Sequence, residues 1–170
     1  MLMTFSSITS EAGCKVYNFT YVDCRYRNLT IVPRNLPSTT THLDLSYNYI
    51  TSLTPNSFEN LRSLEELIIR TYDHLYIDSE TFVGLKKLRK LDFLDSGPVS
   101  FGKDTFRHLQ SLQVLEILIM TFPNMAESLF NKLINLSELV LGVHVADLSS
   151  EHPASKLSPL IQGAQQEQTM

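Results

Sequence analysis

The stretch Thr41-His42-Leu43-Asp44-Leu45-Ser46-Tyr47-Asn48-Tyr49-Ile50 alternates apolar and polar residues around an anchor, Leu43. That anchor returns with a 24-residue period, without insertion or deletion, at Leu67, Leu91, Leu115 and Leu139. Its companions travel with it. Two residues on stand Leu45, Ile69, Phe93, Ile117 and Leu141; fifteen on, Phe58, Phe82, Phe106 and Phe130. Eighteen on come Leu61, Leu85, Leu109 and Leu133; twenty-one on, Leu64, Leu88, Leu112 and Leu136. A fixed period of this length means stacked units, none of which can bury its apolar face alone.

Alternation with period two predicts a short strand at each anchor. Leu43 and Leu45 turn inward and Asp44 and Ser46 outward; in the next unit Leu67 and Ile69 turn inward, Ile68 and Arg70 outward. The Phe-x-x-Leu-x-x-Leu stretch that follows has helical spacing, which predicts a short helix or 3₁₀ turn on the opposite, convex side. The four phenylalanines would then stack as an internal spine. These features specify an α/β leucine-rich repeat solenoid: a horseshoe with a parallel β-sheet on its concave face and a disulfide-bonded N-terminal cap. The chain divides into a polar leader (1–12), a cysteine cap (13–39), a run of 24-residue repeats (40–148) and a Gln/Ser/Pro-rich disordered tail (149–170). No cysteine pair or further repeat closes the stack after Leu148, so the chain reads as the first part of a longer protein or a truncated product.

Among 170 residues there are two cysteines, Cys14 and Cys24. Zinc normally takes four ligands, and no second Cys pair or close His pair follows, so a disulfide is favoured. Closing a loop of about ten residues stabilises by roughly 3 kcal/mol in the chain-entropy picture, and it implies an oxidising compartment. Three N-x-S/T sequons agree, at Asn18, Asn28 and Asn135. Asn135 lies between Leu133 and Leu136 at an expected solvent-facing convex position. No stretch approaches the ~20 apolar residues of a membrane span.

Function classes narrow in the same way. A net charge of −4 with one basic cluster, Lys86, Lys87, Arg89 and Lys90, carries no nucleic-acid signal, and the cluster reads as a solvated convex turn. The histidines His42, His74, His108, His144 and His152 fall on different repeats and faces, and there is no Gly-rich phosphate loop. No catalytic, metal or cofactor site is assigned. Outward strand positions are polar in the early repeats and apolar later, at Leu94, Val114, Leu118, Ile119, Val140 and Val143. Leu94, Leu118, Ile119, Val140 and Val143 are therefore the candidate contact surface for a ligand or partner.

The segment from Cys14 through Cys24-Arg25-Tyr26-Arg27-Asn28-Leu29-Thr30-Ile31-Val32-Pro33, Leu36-Pro37 and Leu43-Asp44-Leu45-Ser46-Tyr47-Asn48-Tyr49-Ile50 resembles the N-terminal cap and first repeat of a Toll-like receptor ectodomain. The resemblance covers residues 13 to about 148. It implies a non-enzymatic horseshoe that binds a microbial ligand of unknown class and pairs with a receptor homo- or heterodimer partner. Such a receptor is anchored by a membrane span absent from this chain. Its ectodomain faces the outside of the plasma membrane or the endosomal lumen; the chain by itself would be secreted. The alternatives are a soluble decoy form and an adhesive or structural extracellular repeat protein. In one respect the chain departs from the family pattern. Asn48 occupies the usual ladder-asparagine position, but Tyr72, Ser96, Met120 and His144 follow it, predicting a less regular inner turn from the second repeat onward.

Overall fold

The computed structural model describes residues 8–10, 12–119 and 129–143. One eight-stranded sheet runs through these residues. Its first three strands, β1 (Ile8–Thr9), β2 (Lys15–Tyr17) and β3 (Tyr21–Asp23), pair antiparallel. Strand β1 falls within the stretch read as a leader; residues 1–7 and the tail 149–170 lie outside the described residues. The β2–β3 hairpin turns at Asn18 and Phe19, both left-handed, with the Thr20 N–H donating to the Tyr17 carbonyl at 3.2 Å. Two consecutive positive φ angles match the right-handed twist of the flanking strands. The Cys14–Cys24 disulfide closes this cap, and both half-cystines are fully buried.

From β3 onward the pairing is parallel. Strand β4 (His42–Asp44) joins β3, and one small three-stranded sheet is set aside on the flank: β5 (Ser52–Leu53), β7 (Leu75–Ile77) and β9 (Val99–Phe101). The main sheet continues through β6 (Glu66–Ile68), β8 (Lys90–Ser96), β10 (Val114–Ile119) and β11 (Glu138–Val143). Leu43 pairs with Leu67, Leu67 with Leu91, Leu91 with Leu115 and Leu115 with Leu139, so the 24-residue period is the strand register itself.

Between helix and 3₁₀ turn, the convex segments take the turn; no α-helix occurs among the described residues. Leu61 N–H donates to the Phe58 carbonyl and Leu64 N–H to that of Leu61, at 3.0 Å each. The same pair of i→i+3 bonds recurs at Phe82-Leu85-Leu88, Phe106-Leu109-Leu112 and Phe130-Leu133-Leu136. The α component of the α/β reading is thus a chain of tight turns, since three residues per turn suffice to aim Phe and both Leu inward. The phenylalanine rings stack at centroid distances of 6.2, 6.3 and 6.1 Å from Phe58 to Phe130, within the range that aromatic pairs favour. A column of hydroxyls one residue before the phenylalanines supports the turns. Ser57 Oγ accepts from Thr54 N–H, and Thr81 and Thr105 donate to the Leu53 and Gly102 carbonyls.

Asn48 ties the cap to the first repeat. Fully buried, its Oδ1 accepts from the N–H groups of Arg27 and Leu29, and its Nδ2 donates to the carbonyls of Cys24 and Leu45. The ladder then changes. Asn48 pairs with Thr71 rather than Tyr72, so Tyr72 is pushed out to solvent and buried Thr71 takes the inner place, donating to the Asp73 carbonyl. Ser96 occupies its expected place and donates to the Ile69 carbonyl at 3.1 Å. The register slips again where Ile119 pairs with Ser96; Met120 and His144 lie outside the described residues. The first slip leaves the bulky Tyr72 outside and brings the short, hydrogen-bonding Thr71 to the inner turn.

Two substitutions test this account. A Cβ on Gly97 would stand 2.6 Å from the Tyr72 carbonyl oxygen, backbone that cannot step aside. Gly97→Ala should cost about 1–3 kcal/mol, read as a lower urea midpoint. Asn48→Leu removes the side-chain partner of two part-buried N–H groups and three carbonyls at once and should cost about 2–4 kcal/mol in the same measurement. A loss under half a kilocalorie for Asn48→Leu would show that the cap docks without it.

Candidate functional site

Register places the outward side chains of the main sheet in rows. Lys15, Asp23, Asp44, Ile68, Asp92, Glu116 and Val140 form one; Tyr17, Tyr21, His42, Glu66, Lys90, Val114 and Glu138 form its neighbour. Ion pairs run along and between the strands. Arg25 Nη2 meets Asp23 Oδ2 at 2.9 Å, its Nε lies 3.6 Å from Asp44 Oδ2, Arg70 Nη2 meets Asp92 Oδ2 at 2.8 Å, and Lys90 Nζ meets Glu116 Oε2 at 2.8 Å. His42 Nε2 faces Glu66 Oε2 at 3.5 Å.

These charges shape their own protonation. The hydrogen bond from Arg25 holds the Asp23 carboxyl below its usual range despite partial burial. Glu116 raises Lys90, chiefly through its hydrogen bond. Burial pulls Arg70 down, but the hydrogen bond and charge of Asp92, with Tyr47, carry it above its ordinary value. Burial, then Asp44, raises the Tyr21 phenol. Three aspartates also brace the backbone two residues on: Asp23 accepts from Arg25 N–H, Asp44 from Ser46 N–H and Asp92 from Leu94 N–H. Such local side-chain bonds turn the chain at the ends of β3 and β4, while the Asp92 bond lies within β8.

The predicted contact residues sort unevenly. Leu94 and Leu118 are half-buried and Val140 is exposed; the side chains of Ile119 and Val143 lie outside the described residues. Leu118 leans across Gly142, where an added Cβ would meet Leu118 Cδ1 at 2.5 Å. Glu116 interrupts the apolar run, because it sits between Val114 and Leu118 on the same outward face and pairs with Lys90. The late concave face is therefore mixed rather than apolar.

Sequence reasoning missed two features here. One is a set of buried polar atoms, Arg27 Nε, Ser46 Oγ and Arg70 Nε, which have no hydrogen-bond partner among the described residues, beside Glu116 Oε2, which meets only the Lys90 ammonium. The other is a tyrosine ladder at the sheet margin. Tyr26 stacks on Tyr47 at 4.6 Å and 11°, and Tyr47 lies 5.7 Å from Tyr72. The steps from Tyr26 to Tyr47 and from Tyr47 to Tyr72 are unequal, and neither keeps the 24-residue register. Three tyrosines near one offset were nonetheless a usable signal.

Two of the three sequons lie free on the cap. Asn18 and Asn28 are exposed in left-handed turns. Asn135 is exposed too, but its Nδ2 donates to the Gln110 carbonyl at 2.6 Å and Ser137 Oγ to that of Gln113 at 3.0 Å. Among the described residues no group of three or more His, Cys, Asp or Glu gathers as a metal site.

This geometry defines the class: a leucine-rich repeat solenoid presenting a charged concave sheet. The Leucine rich repeat family model matches residues 34–75. Within that class the chain is related in sequence to the Toll-like receptors. It is 35% identical to pig (Sus scrofa) Toll-like receptor 9 over 116 residues, 59% of this chain and 11% of that one. It is 33% identical to mouse (Mus musculus) Toll-like receptor 7 over 138 residues, 71% of this chain and 13% of that one. A shorter match, 49% identical over 70 residues (41% of this chain, 8% of the relative), is to the Xenopus tropicalis leucine-rich repeat-containing G-protein coupled receptor 5. The chain spans about a tenth of the length of these relatives. A solved structure of the mouse RP105/MD-1 complex shares the fold with a TM-score of 0.65 at 20% identity, over 86% of this chain and 24% of that chain.

The ion pairs predict a pH response. Asp23 titrates lower folded than unfolded, so its contribution is present above about pH 4 and is lost as pH falls through the folded value. Asp23→Asn should lower stability at neutral pH by about 0.5–1 kcal/mol, discounted for solvent screening. The difference from the parent should vanish in strong acid; melting curves across pH would read it, and a constant difference at every pH would contradict the linkage.

Proposed function

We propose that the chain is a non-enzymatic recognition module of a Toll-like innate immune receptor. It acts outside the cytosol, on the extracellular face or in the endosomal lumen, or as a secreted protein. The observation that carries this is the uninterrupted concave sheet. From β2 to β11 its outward face carries ion pairs satisfied between repeats, with Leu94, Leu118 and Val140 among them. A mixed surface of this kind suits protein or microbial ligand contact, where apolar anchors give affinity and flanking charges give specificity. The buried disulfide and the sequence relationship to Toll-like receptors support the location.

The match to a G-protein coupled receptor of the leucine-rich repeat type supports a second reading, an extracellular repeat domain from a receptor outside the Toll-like class. A soluble decoy and an adhesive role both use the same surface.

Two measurements test the reading. Fused behind an export signal and expressed in animal cells, the chain should emerge with N-glycans at Asn18 and Asn28. Amidase treatment should lower its mass, and Asn18→Gln and Asn28→Gln should each remove one step. A chain that folds but never acquires a glycan would refute the location. In a panel of microbial lipids, proteins and nucleic acids, any ligand captured should be lost when Leu118→Arg or Val140→Arg is introduced; unchanged capture would remove the concave face from the reading.

A further inference from the structure

The cations of this chain are treated in two different ways. On the concave face Arg25, Arg70 and Lys90 are each paired with a carboxylate. At the corner where the convex turns enter the sheet, Arg62, Lys86, Lys87 and Arg89 are all exposed, and none makes an ion pair with a described residue. Arg62 and Lys86 occupy the same place in successive repeats, so their backbones stand one strand spacing, ~5 Å, from each other. Lys87 and Arg89 flank buried Leu88, which forces both outward.

Acids thin out toward the later turns of this corner. The spans 81–91, 105–115 and 129–137 contain no Asp or Glu, in a chain whose net charge is −4. Besides the paired Lys90 and Arg107, they contribute Lys86, Lys87, Arg89 and Lys132, with the amides Gln110, Gln113 and Asn135 between them. Hydrogen bonds lock the turns in order: Ser111 Oγ donates to the Lys86 carbonyl at 2.7 Å and Asn135 Nδ2 to that of Gln110 at 2.6 Å. Glu59 lies on the Arg62 side, and Glu65, one repeat before Arg89 and accepting the Arg89 N–H at its carbonyl at 2.8 Å, is the acid that borders the corner.

We infer that this corner is a binding site for a linear sulfated polysaccharide. Four exposed cations, Arg62 and Lys86 one repeat apart and Lys87 and Arg89 on the same turn as Lys86, with the amides Gln110 and Gln113 at the equivalent places of the next repeat, fit a polyanion whose sulfates recur along a chain. Nucleic acid and phosphoinositide membranes fit the charge as well, but the choice of sulfated glycan rests on the extracellular or lumenal reading above, where such glycans are the prevailing polyanions. The glycan-shift experiment tests that reading separately.

The test uses the secreted full chain and heparin as probe at neutral pH. Despite its net negative charge the protein should be retained on immobilised heparin, and more tightly than on a sulfonate resin. Lys86→Ser/Lys87→Ser should weaken heparin affinity about fivefold or more, as expected for two exposed charge contacts. Lys103→Glu changes the net charge equally, lies elsewhere, and should stay within about twofold of the parent. Unchanged melting temperatures would show that both variants fold. Equal binding by the first variant and the parent, or an equal loss in the second, overturns the site. Single-stranded DNA or phosphatidylserine vesicles bound more tightly than heparin through Lys86 and Lys87 would overturn the sulfated-glycan assignment.

Discussion

The parallel register, one repeat stacked on the next at the spacing of a β-ladder, is the constraint on which everything else depends. Leu43, Leu67, Leu91, Leu115 and Leu139 pair in line, and the phenylalanine spine climbs beside them at about 6 Å per step. Ladder hydrogen bonds set the pitch; aromatic and leucine side chains fill it. A repeat that lost either would leave its neighbours with unpaired backbone or an apolar void. The disulfide-closed cap matters for the same reason, since its β3 strand covers the edge of β4 that would otherwise stand open.

On that scaffold polar chemistry is distributed by cost. Buried polar groups serve the backbone: Asn48 bonds five backbone groups, Thr81 and Ser96 one each. Aspartates on the concave face both brace the backbone and pair with arginines, which is why Asp44 and Asp92 are buried although their strand position points outward. Four exposed cations that make no ion pair with a described residue, Arg62, Lys86, Lys87 and Arg89, stand together at the convex corner. Separation of this kind gives one small domain two chemically different faces.

Much of this was legible in the chain. The inward residues, from Leu43 to Leu141, and the Phe spine follow from period alone, and Cys14 and Cys24 form the disulfide their isolation favours. The irregular inner turn was legible from the loss of asparagine after Asn48. Its form was not, because Thr71 displaces Tyr72 only once the register with Asn48 is known. Tyr26, Tyr47 and Tyr72 meet for the same reason: slips bring unequal spacings into line. Of the contact candidates, Leu94, Leu118 and Val140 stand on the outward face, but their separation by Glu116 required knowing that it reaches Lys90.

The sequence by itself determined the repeat, its core and its cap, because a burial pattern that recurs with the 24-residue period is written into each unit locally. Only the tertiary structure decided which outward residues are free. That depends on partners about one repeat away, such as Asp92 for Arg70 and Glu116 for Lys90. Whether a charge is spent on a neighbour or left for a ligand is a property of the stack, and no single repeat contains it.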